Sequence, residues 1–298
     1  MIVSENWGEL LQPALRAIFD KHSKKKKDYI GKLYNIENSK KAQEFNLGTG
    51  ELGLMEDWQA SQGKVAYEDF QKGFKSTYIH RKYSKGVQVE RELLEDDQYA
   101  EIKKRVRKLS RTVYYTTQVH AASTFNNMFN STFAGPDGKA LCATDHPKMP
   151  GSSSVISNAG ALELNATNLE IVRTAMKGWT DDKGNLIEVM SDLLIVPPAL
   201  RKTARIIAET DNEPFTTDHG INVWKGNINV MEYDFWLDPT AWAVVDSDRM
   251  KDFLNWFWRR KPGFKDKIEF DTEVAKYAVI GRWCFGWDDF SWIYGCKP

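Results

Sequence analysis

Residues 137–147 read DGKALCATDHP and place a thiol, a carboxylate and an imidazole, those of Cys142, Asp145 and His146, within five positions. These side chains build zinc sites, and they also serve nucleophilic catalysis, in which a thiolate attacks and an imidazole carries the proton. A structural zinc site needs more: paired ligands such as C-x2-C, with a second pair elsewhere. Here one Cys and one His stand in one loop, and the remaining cysteines, Cys284 and Cys296, add no second pair. An odd number of cysteines without framework spacing fits a reducing compartment. Asp137-Gly138 is a turn signal, and His146-Pro147 closes the stretch as an extended dipeptide. These residues therefore predict a turn and a strand, with no catalytic, cofactor-binding or metal residue. The rival reading is a soluble hydrolase that uses Cys142 or His146.

Other chemical signals are weaker. His120 sits on an apolar stripe and reads as a hydrogen-bonded core histidine; His22, His80 and His219 stand alone in polar segments. GTGELG at 48–53 fits G-x-G-x-x-G, but no apolar strand precedes it and Gly63 soon follows, so a flexible loop is predicted. There is no Walker A, no G-x-S-x-G and no H-E-x-x-H.

Such residues act only where a fold positions them. With 298 residues, 42% of them hydrophobic, the chain is globular and long enough for a sizeable core. A formal net charge of +0 gives no global electrostatic case for nucleic acid or membrane binding. The start, MIVSENWGELL, lacks the basic and apolar regions of a secretory signal, and no apolar run is long enough to span a bilayer. Charge is local. A basic run at 103–111 holds Lys103, Lys104, Arg105, Arg107, Lys108 and Arg111, and an acidic cluster just before it holds Glu92, Glu95, Asp96 and Asp97. A solvated helix face is the default for the basic run, and contact with nucleic acid is the functional rival.

The fold class predicted is α+β. Residues 5–20 form a short amphipathic helix through Trp7, Leu11, Leu15, Ile18 and Phe19, set apart from the main core by the polar KHSKKKKDY. Residues 46–85 are poor in aliphatics, with Tyr67, Phe70, Phe74 and Tyr78 alternating in places, which predicts a long two-stranded excursion. A hairpin alone is marginal in water, so this one must lie on something outside itself. From about 90 to 133, Ile102, Val106, Leu109, Val113, His120, Phe125 and Met128 recur at helical steps, capped by Asp96 or Asp97, and predict a spine helix of roughly 35 residues. PGSSSVISNAGA at 150–161 reads as a linker, and Thr167 with Glu170 as a capping box. DLLIVPP reads as a buried strand, with Pro198 opening a helix at 198–209. Strands at 221–233 and 241–246, a helix at 248–258, and strands at 267–271 and 276–287 complete the prediction.

This order of parts resembles the major capsid protein of tailed bacteriophages, with its Hong Kong 97-type fold. Five phrases resemble the Mu-like major head subunit group: WGELLQPALRAIFD, LLEDDQYAEI, DGKALCATDHP, LLIVPPALRKTARII and GRWCFGWDDFSWIYG. The resemblance spans nearly the whole chain. It implies an N-terminal arm at 1–45 and an extended loop at 46–85. It further implies a peripheral domain at 86–150 and 250–288, and an axial domain at 155–249 and 289–298. The implied function is an icosahedral shell of hexamers and pentamers around double-stranded DNA, assembled in the host cytoplasm, with no enzymatic activity and no cofactor. Implied partners are the chain itself, scaffolding, portal and decoration proteins, and DNA held non-specifically, with no membrane. The sequence reaches its arm helix at once, so if it is the full product, scaffolding would come from a separate protein or the shell would assemble without one. The charged groups at 92–111 would then meet a neighbouring subunit or DNA, and Tyr67, Phe70, Phe74 and Tyr78 would serve the extended loop. The alternative within the same fold is an encapsulin-like nanocompartment shell around cargo enzymes.

Overall fold

A computed structural model describes residues 13, 15–19, 27–58, 63–65, 67–90, 92–96, 99–212, 214, 220–269 and 274–298, with the side chains of Leu94, Glu95 and Ile268 outside it. Two sheets share one long helix. The first sheet has four strands, in the order β1 (Asn35–Asn38), β11 (Leu254–Glu269), β12 (Val274–Trp287) and β4 (Arg81–Val89). β1 runs parallel to β11, and the other pairings are antiparallel. β12 buries Ala275, Tyr277, Val279 and Trp283 at every second position, the period of a strand with one covered face. The covering element is the spine, α3 (Tyr99–Asn126), which follows the short α1 (Tyr29–Leu33) and α2 (Glu92–Glu95). Ile102, Val106 and Leu109 of α3 pack with Val89, Ala275, Tyr277 and Val279 of the sheet.

The second sheet has five strands, in the order β7 (Ala159–Gly160), β13 (Ile293–Cys296), β10 (Trp242–Val245), β8 (Leu193–Val196) and β9 (Asn229–Glu232). β8 and β10 are buried throughout their centres. Leu169 and Val172 of α4 (Ala166–Lys177) join the same core as Ala204 and Ile207 of α5 (Arg201–Glu209). That core also takes in Phe125 at the end of α3 and Trp256 of the first sheet, so the spine ties the two sheets together. α6 (Ser247–Phe253) leads from β10 into β11. Its N-cap Asp246 accepts hydrogen bonds from Asp248 N and Arg249 N.

Apart from both sheets, β2 (Gln43–Thr49) pairs antiparallel with β3 (Lys72–Ile79). The two strands approach so closely that a Cβ on Gly73 would lie 2.7 Å from the carbonyl carbon of Gly48, a position that admits only glycine.

Several sequence expectations change. The spine has 28 residues, roughly 42 Å at 1.5 Å per residue, and ends at Asn126, where the chain turns through 127–134. Asp97, the alternative cap, lies outside the described residues, as do Trp7, Leu11, His22 and His219. The helical residues 15–19 do not lie apart from the core: Leu15 and Phe19 are buried against α3 and β12, and Ser110 Oγ donates to Phe19 O at 3.0 Å. β1 likewise belongs to the first sheet. The excursion closes at Ile79, because β4 pairs along its whole length with β12. The cap of α4 is Asn165, whose side chain accepts from Asn168 N; Glu170 pairs with Arg173 on the helix surface instead. Residues 254–266 are strand, not helix or loop, and 221–228 form turns before β9. Pro198 does open its helix, through a 3-10 turn at Pro198–Leu200.

The stretch read as a linker holds β6 (Val155–Ile156), β7 and the fully buried Asn158. Asn158 Nδ2 donates to Leu141 O at 2.8 Å and Ile293 O at 3.2 Å, and its Oδ1 accepts from Ala143 N at 2.8 Å. One side chain thus joins the loop after the spine to β13. Asn158→Ala leaves these backbone groups unsatisfied in the core, so the urea midpoint of the isolated subunit is expected to fall by the equivalent of about 2–3 kcal/mol. Asn158→Asp is expected to lower it at least as much near neutral pH, because a carboxylate cannot donate to the two carbonyls and would be buried facing them.

Candidate functional site

Cys142, Asp145 and His146 do not converge. Cys142 is buried, and burial first, with Cys296 nearby, pushes its thiol far above the ordinary range. It faces β13 so closely that a Cβ on Gly295 would lie 2.6 Å from its Sγ. Asp145 points outward and pairs with Lys139. His146 is fully buried, stacked on Phe290 at 3.8 Å, with Nδ1 at 2.5 Å from Asp137 Oδ2 and, among the described residues, no hydrogen-bond partner for Nε2. A protonated thiol and an imidazole engaged elsewhere make no nucleophile pair. Among the described residues, no group of three or more His, Cys, Asp or Glu is placed to hold a metal ion. β5 (His146–Pro147), paired with β6, is the strand that DGKALCATDHP predicts.

A constellation that the sequence did not reveal lies at the base of the excursion. His80, between β3 and β4, is buried. Its Nε2 lies 3.0 Å from Ser39 Oγ, and its Nδ1 lies 3.2 Å from Cys284 Sγ. Ser39 donates to Glu44 Oε1 at 2.5 Å and accepts from Lys41 N at 3.1 Å. One protonation pattern satisfies every atom: the thiol donates to Nδ1, Nε2–H donates to Ser39, and Ser39 donates to the carboxylate. Burial pushes the Cys284 thiol up to about 12 and the His80 imidazole below its usual value, while the Ser39 hydroxyl holds Glu44 below its own. Three segments distant in sequence, at 39–44, 80 and 284, meet here, so no local pattern could have flagged it. Beside it, Asp288 accepts from Tyr78 OH at 2.5 Å, Asn46 Nδ2 at 2.7 Å and Asn255 Nδ2 at 2.7 Å. The base of the excursion is thereby pinned to β11 and the end of β12.

Beyond that base the excursion is open. Met55 is fully exposed and Tyr67 92% exposed, and Phe45, Leu47, Leu54, Trp58 and Phe70 are exposed as well. Phe74 is half-buried. Tyr78 differs from its expected role: it is only 5% exposed and packs against Phe257 and Cys284 in the body. The tip touches the turn at 181–184 through polar contacts. Glu51 N donates to Asp182 Oδ1 at 3.1 Å, and Glu68 pairs with Lys183.

The basic run occupies the outward face of α3. Lys104 and Arg105 pair with Glu101, a residue outside the expected acidic cluster, and Arg105 also reaches Gln88 O at 3.0 Å. Arg111 lies over the Tyr115 ring. Lys103, Arg107 and Lys108 are exposed with no ion pair among the described residues. Glu92 and Asp96 are exposed; the side chain of Glu95 and the whole of Asp97 lie outside the described residues. Among the described residues, the basic run is not brought into contact with Glu92 or Asp96.

Residues 75–295 match the family described as phage capsid protein. The chain belongs to the phage capsid protein family. A search of the curated proteins finds no match. Among solved structures, the chain resembles the capsid of bacteriophage JBD30 decorated with minor capsid protein trimers, with a TM-score of 0.56 at 16% identity over 71% of this chain and 92% of that one. It resembles the mature capsid of bacteriophage PhiM1, with a TM-score of 0.57 at 10% identity over 91% and 87%. It also resembles a virus-like particle from Pyrococcus furiosus, with a TM-score of 0.53 at 8% identity over 96% and 98%. These likenesses show the Hong Kong 97-type fold. In this capsid protein the long helix, the two sheets and the excursion are the parts of that fold.

The His80 constellation sets a pH dependence. A folded-state value below the ordinary 6.5 means that the unfolded chain takes up the proton first. The stabilisation is present above pH 6.5 and is lost as the pH falls from there through the folded value. Glu44, lowered by its hydrogen bond, adds a further loss below its ordinary 4.5. Hydrogen-exchange protection at β2 and β3, corrected for the intrinsic rate at each pH, is expected to fall between pH 7 and pH 5 in the wild type, and to change less in His80→Gln.

Proposed function

We propose that this capsid protein is the major shell subunit, assembling into hexamers and pentamers of an icosahedral head around double-stranded DNA. The observation that carries the reading is the excursion. It exposes a run of large apolar groups that its own subunit leaves uncovered, while its base is pinned by buried hydrogen bonds. Contiguous exposed apolar surface marks an interaction site. A subunit that gives this segment to a neighbour and receives one in turn forms a closed ring, so many modest contacts add up. The role is structural and asks for no catalytic residue. The domain division follows the same reading: an arm through β1, an extended loop at 43–79, a peripheral domain around α3 and the first sheet, and an axial domain around the second sheet. The five sequence phrases support the Mu-like head-subunit group as the subgroup. The JBD30 capsid carries minor capsid protein trimers, which supports an accessory partner here, alongside scaffolding and portal proteins. Assembly in the host cytoplasm is part of the same reading; among the described residues no helix is long and apolar enough to cross a membrane.

Negative-stain microscopy of the expressed protein is expected to show closed particles. Replacing residues 53–69 by a short Gly-Ser turn is expected to leave a folded subunit that forms none; normal shells from that variant would refute the role given to the excursion. Protein cargo in place of DNA inside native particles would favour a nanocompartment.

Lys103, Arg107 and Lys108 are the spine cations without an ion pair among the described residues, and are proposed to face the packaged DNA. Changing all three to Gln is expected to leave shell formation intact and to make the log–log salt dependence of DNA binding shallower by about 2–3, roughly 0.9 for each phosphate that is no longer neutralised. Titration with a short duplex at several salt concentrations checks this.

A further inference from the structure

β11 breaks its register with β12 after Trp258. Trp258 pairs with Trp283 and Arg260 with Arg282, so Arg259 is an extra residue between two paired ones. Such a bulge sets two residues of one strand against one of the other, and here it sets Arg259 and Arg260 against Arg282. On its other side Arg282 lies opposite Lys82 of β4. Four cations meet at one point of the sheet, and like charges directly opposite on neighbouring strands repel. Lys82 and Arg260 are exposed, Arg259 and Arg282 are half-buried, and none of the four has an ion pair among the described residues. The carboxylates of the adjoining segments are engaged elsewhere. Glu37 accepts from Asn35 Nδ2 at 3.3 Å, Glu44 is held by Ser39 and Lys41, and Asp288 accepts from Tyr78, Asn46 and Asn255.

The guanidinium groups are short of hydrogen-bond partners as well as of counter-charge. Arg259 Nε is buried and has no partner among the described residues. Arg282 Nε donates to His80 O at a long 3.4 Å. Both groups lie near His80, whose imidazole is lowered first by burial and then by the charges of Arg282 and Arg259, against the pull of Glu44. A buried donor left unpaired is uncommon in native proteins, and a charged one costs more than a neutral one. A ligand from outside the chain would remove that cost. We propose that the bulge of β11 is an oxyanion site that takes a phosphate group, held by Arg259 and Arg282 with Lys82 and Arg260 at its rim. A phosphate group suits it better than a carboxylate, because it has acceptor oxygens enough for both planar guanidinium forks and can carry a second negative charge. The bound group would tie β4, β11 and β12 together beside His80, where the excursion leaves the body. Free phosphate and the phosphodiester backbone of nucleic acid share this chemistry.

The test is a titration of the full chain with inorganic phosphate at constant ionic strength, with chloride as the control anion. Calorimetry is expected to show one saturable site that chloride does not fill. Arg259→Gln with Arg282→Gln is expected to weaken it by about tenfold or more, and Arg259→Lys with Arg282→Lys to recover only part of that loss, because an ammonium lacks the planar fork. Changing Lys103, Arg107 and Lys108 of α3 to Gln is expected to leave phosphate binding as in the wild type. Circular dichroism checks that the variants are folded. If the Gln pair does not fold, Lys82→Gln with Arg260→Gln, at two exposed positions, carries the test, with a weakening of about threefold. Hydrogen-exchange protection of β3 and β4 is expected to rise with phosphate in the wild type and not in the Gln pair. Binding that does not saturate, chloride that fills the site equally, or a folded Gln pair that binds like the wild type overturns the proposal. A short DNA duplex separates the two sources. A duplex that displaces phosphate, and whose own affinity falls in the Gln pair, assigns the site to a nucleic acid backbone; phosphate that stays bound under saturating duplex assigns it to the free ion.

Discussion

The burial of one helix against two cores governs this molecule. The first half of α3 lays Ile102, Val106 and Leu109 on the four-stranded sheet, and its end carries Phe125 into the core of the five-stranded one. Each such side chain, fully buried, contributes about 1.5–3 kcal/mol. A helix held at both ends this way fixes the distance between the sheets, and with it the loop that follows. That is why DGKALCATDHP is built for position. Its Cys142 fills the space beside Gly295, and the neighbouring Asn158 pins the loop's backbone to β13.

The excursion obeys a different balance. Its base is held by Asp288, His80, Ser39 and Glu44, all buried or half-buried, where a hydrogen bond to a charged group is strong. Its tip is held by exposed contacts such as Glu68 with Lys183, and exposed ion pairs contribute about 0–1 kcal/mol. Burying even two of Met55, Trp58 and Tyr67 on a neighbour would outweigh that. The segment is therefore anchored firmly at its root and weakly at its end, which suits a limb that must keep its direction and exchange its contacts.

Buried chemical groups serve the same geometry. His80 and His146 both sit with carboxylates and could be mistaken for catalytic dyads. In one the chain of donors ends on the carboxylate of Glu44 through Ser39; in the other the ring is stacked on Phe290. Both rings are buried, and both join segments far apart in sequence.

Periodicity made much of the fold legible in advance. The stripe of α3, the apolar run of β8 and the proline that opens the next helix are local patterns, and local patterns survive without knowledge of the rest. Asn165 took the cap from Thr167 because its position relative to the first turn, and not the residue type alone, decides which oxygen reaches an open backbone N–H. Residues 254–266 became strand because β12 supplies the hydrogen bonds, a partner that the segment's own sequence cannot name. The serine- and glycine-rich stretch at 150–161 became ordered because Asn158 finds three backbone partners in two other segments. Lys82, Arg260 and Arg282 are the same case, since they lie on β4, β11 and β12 and become neighbours only by register. Sequence by itself determined which segments are helix or strand wherever one face must be apolar. Tertiary structure alone decided which distant residues meet, because strand pairing and buried hydrogen bonds are contacts between segments and leave no periodic trace within either.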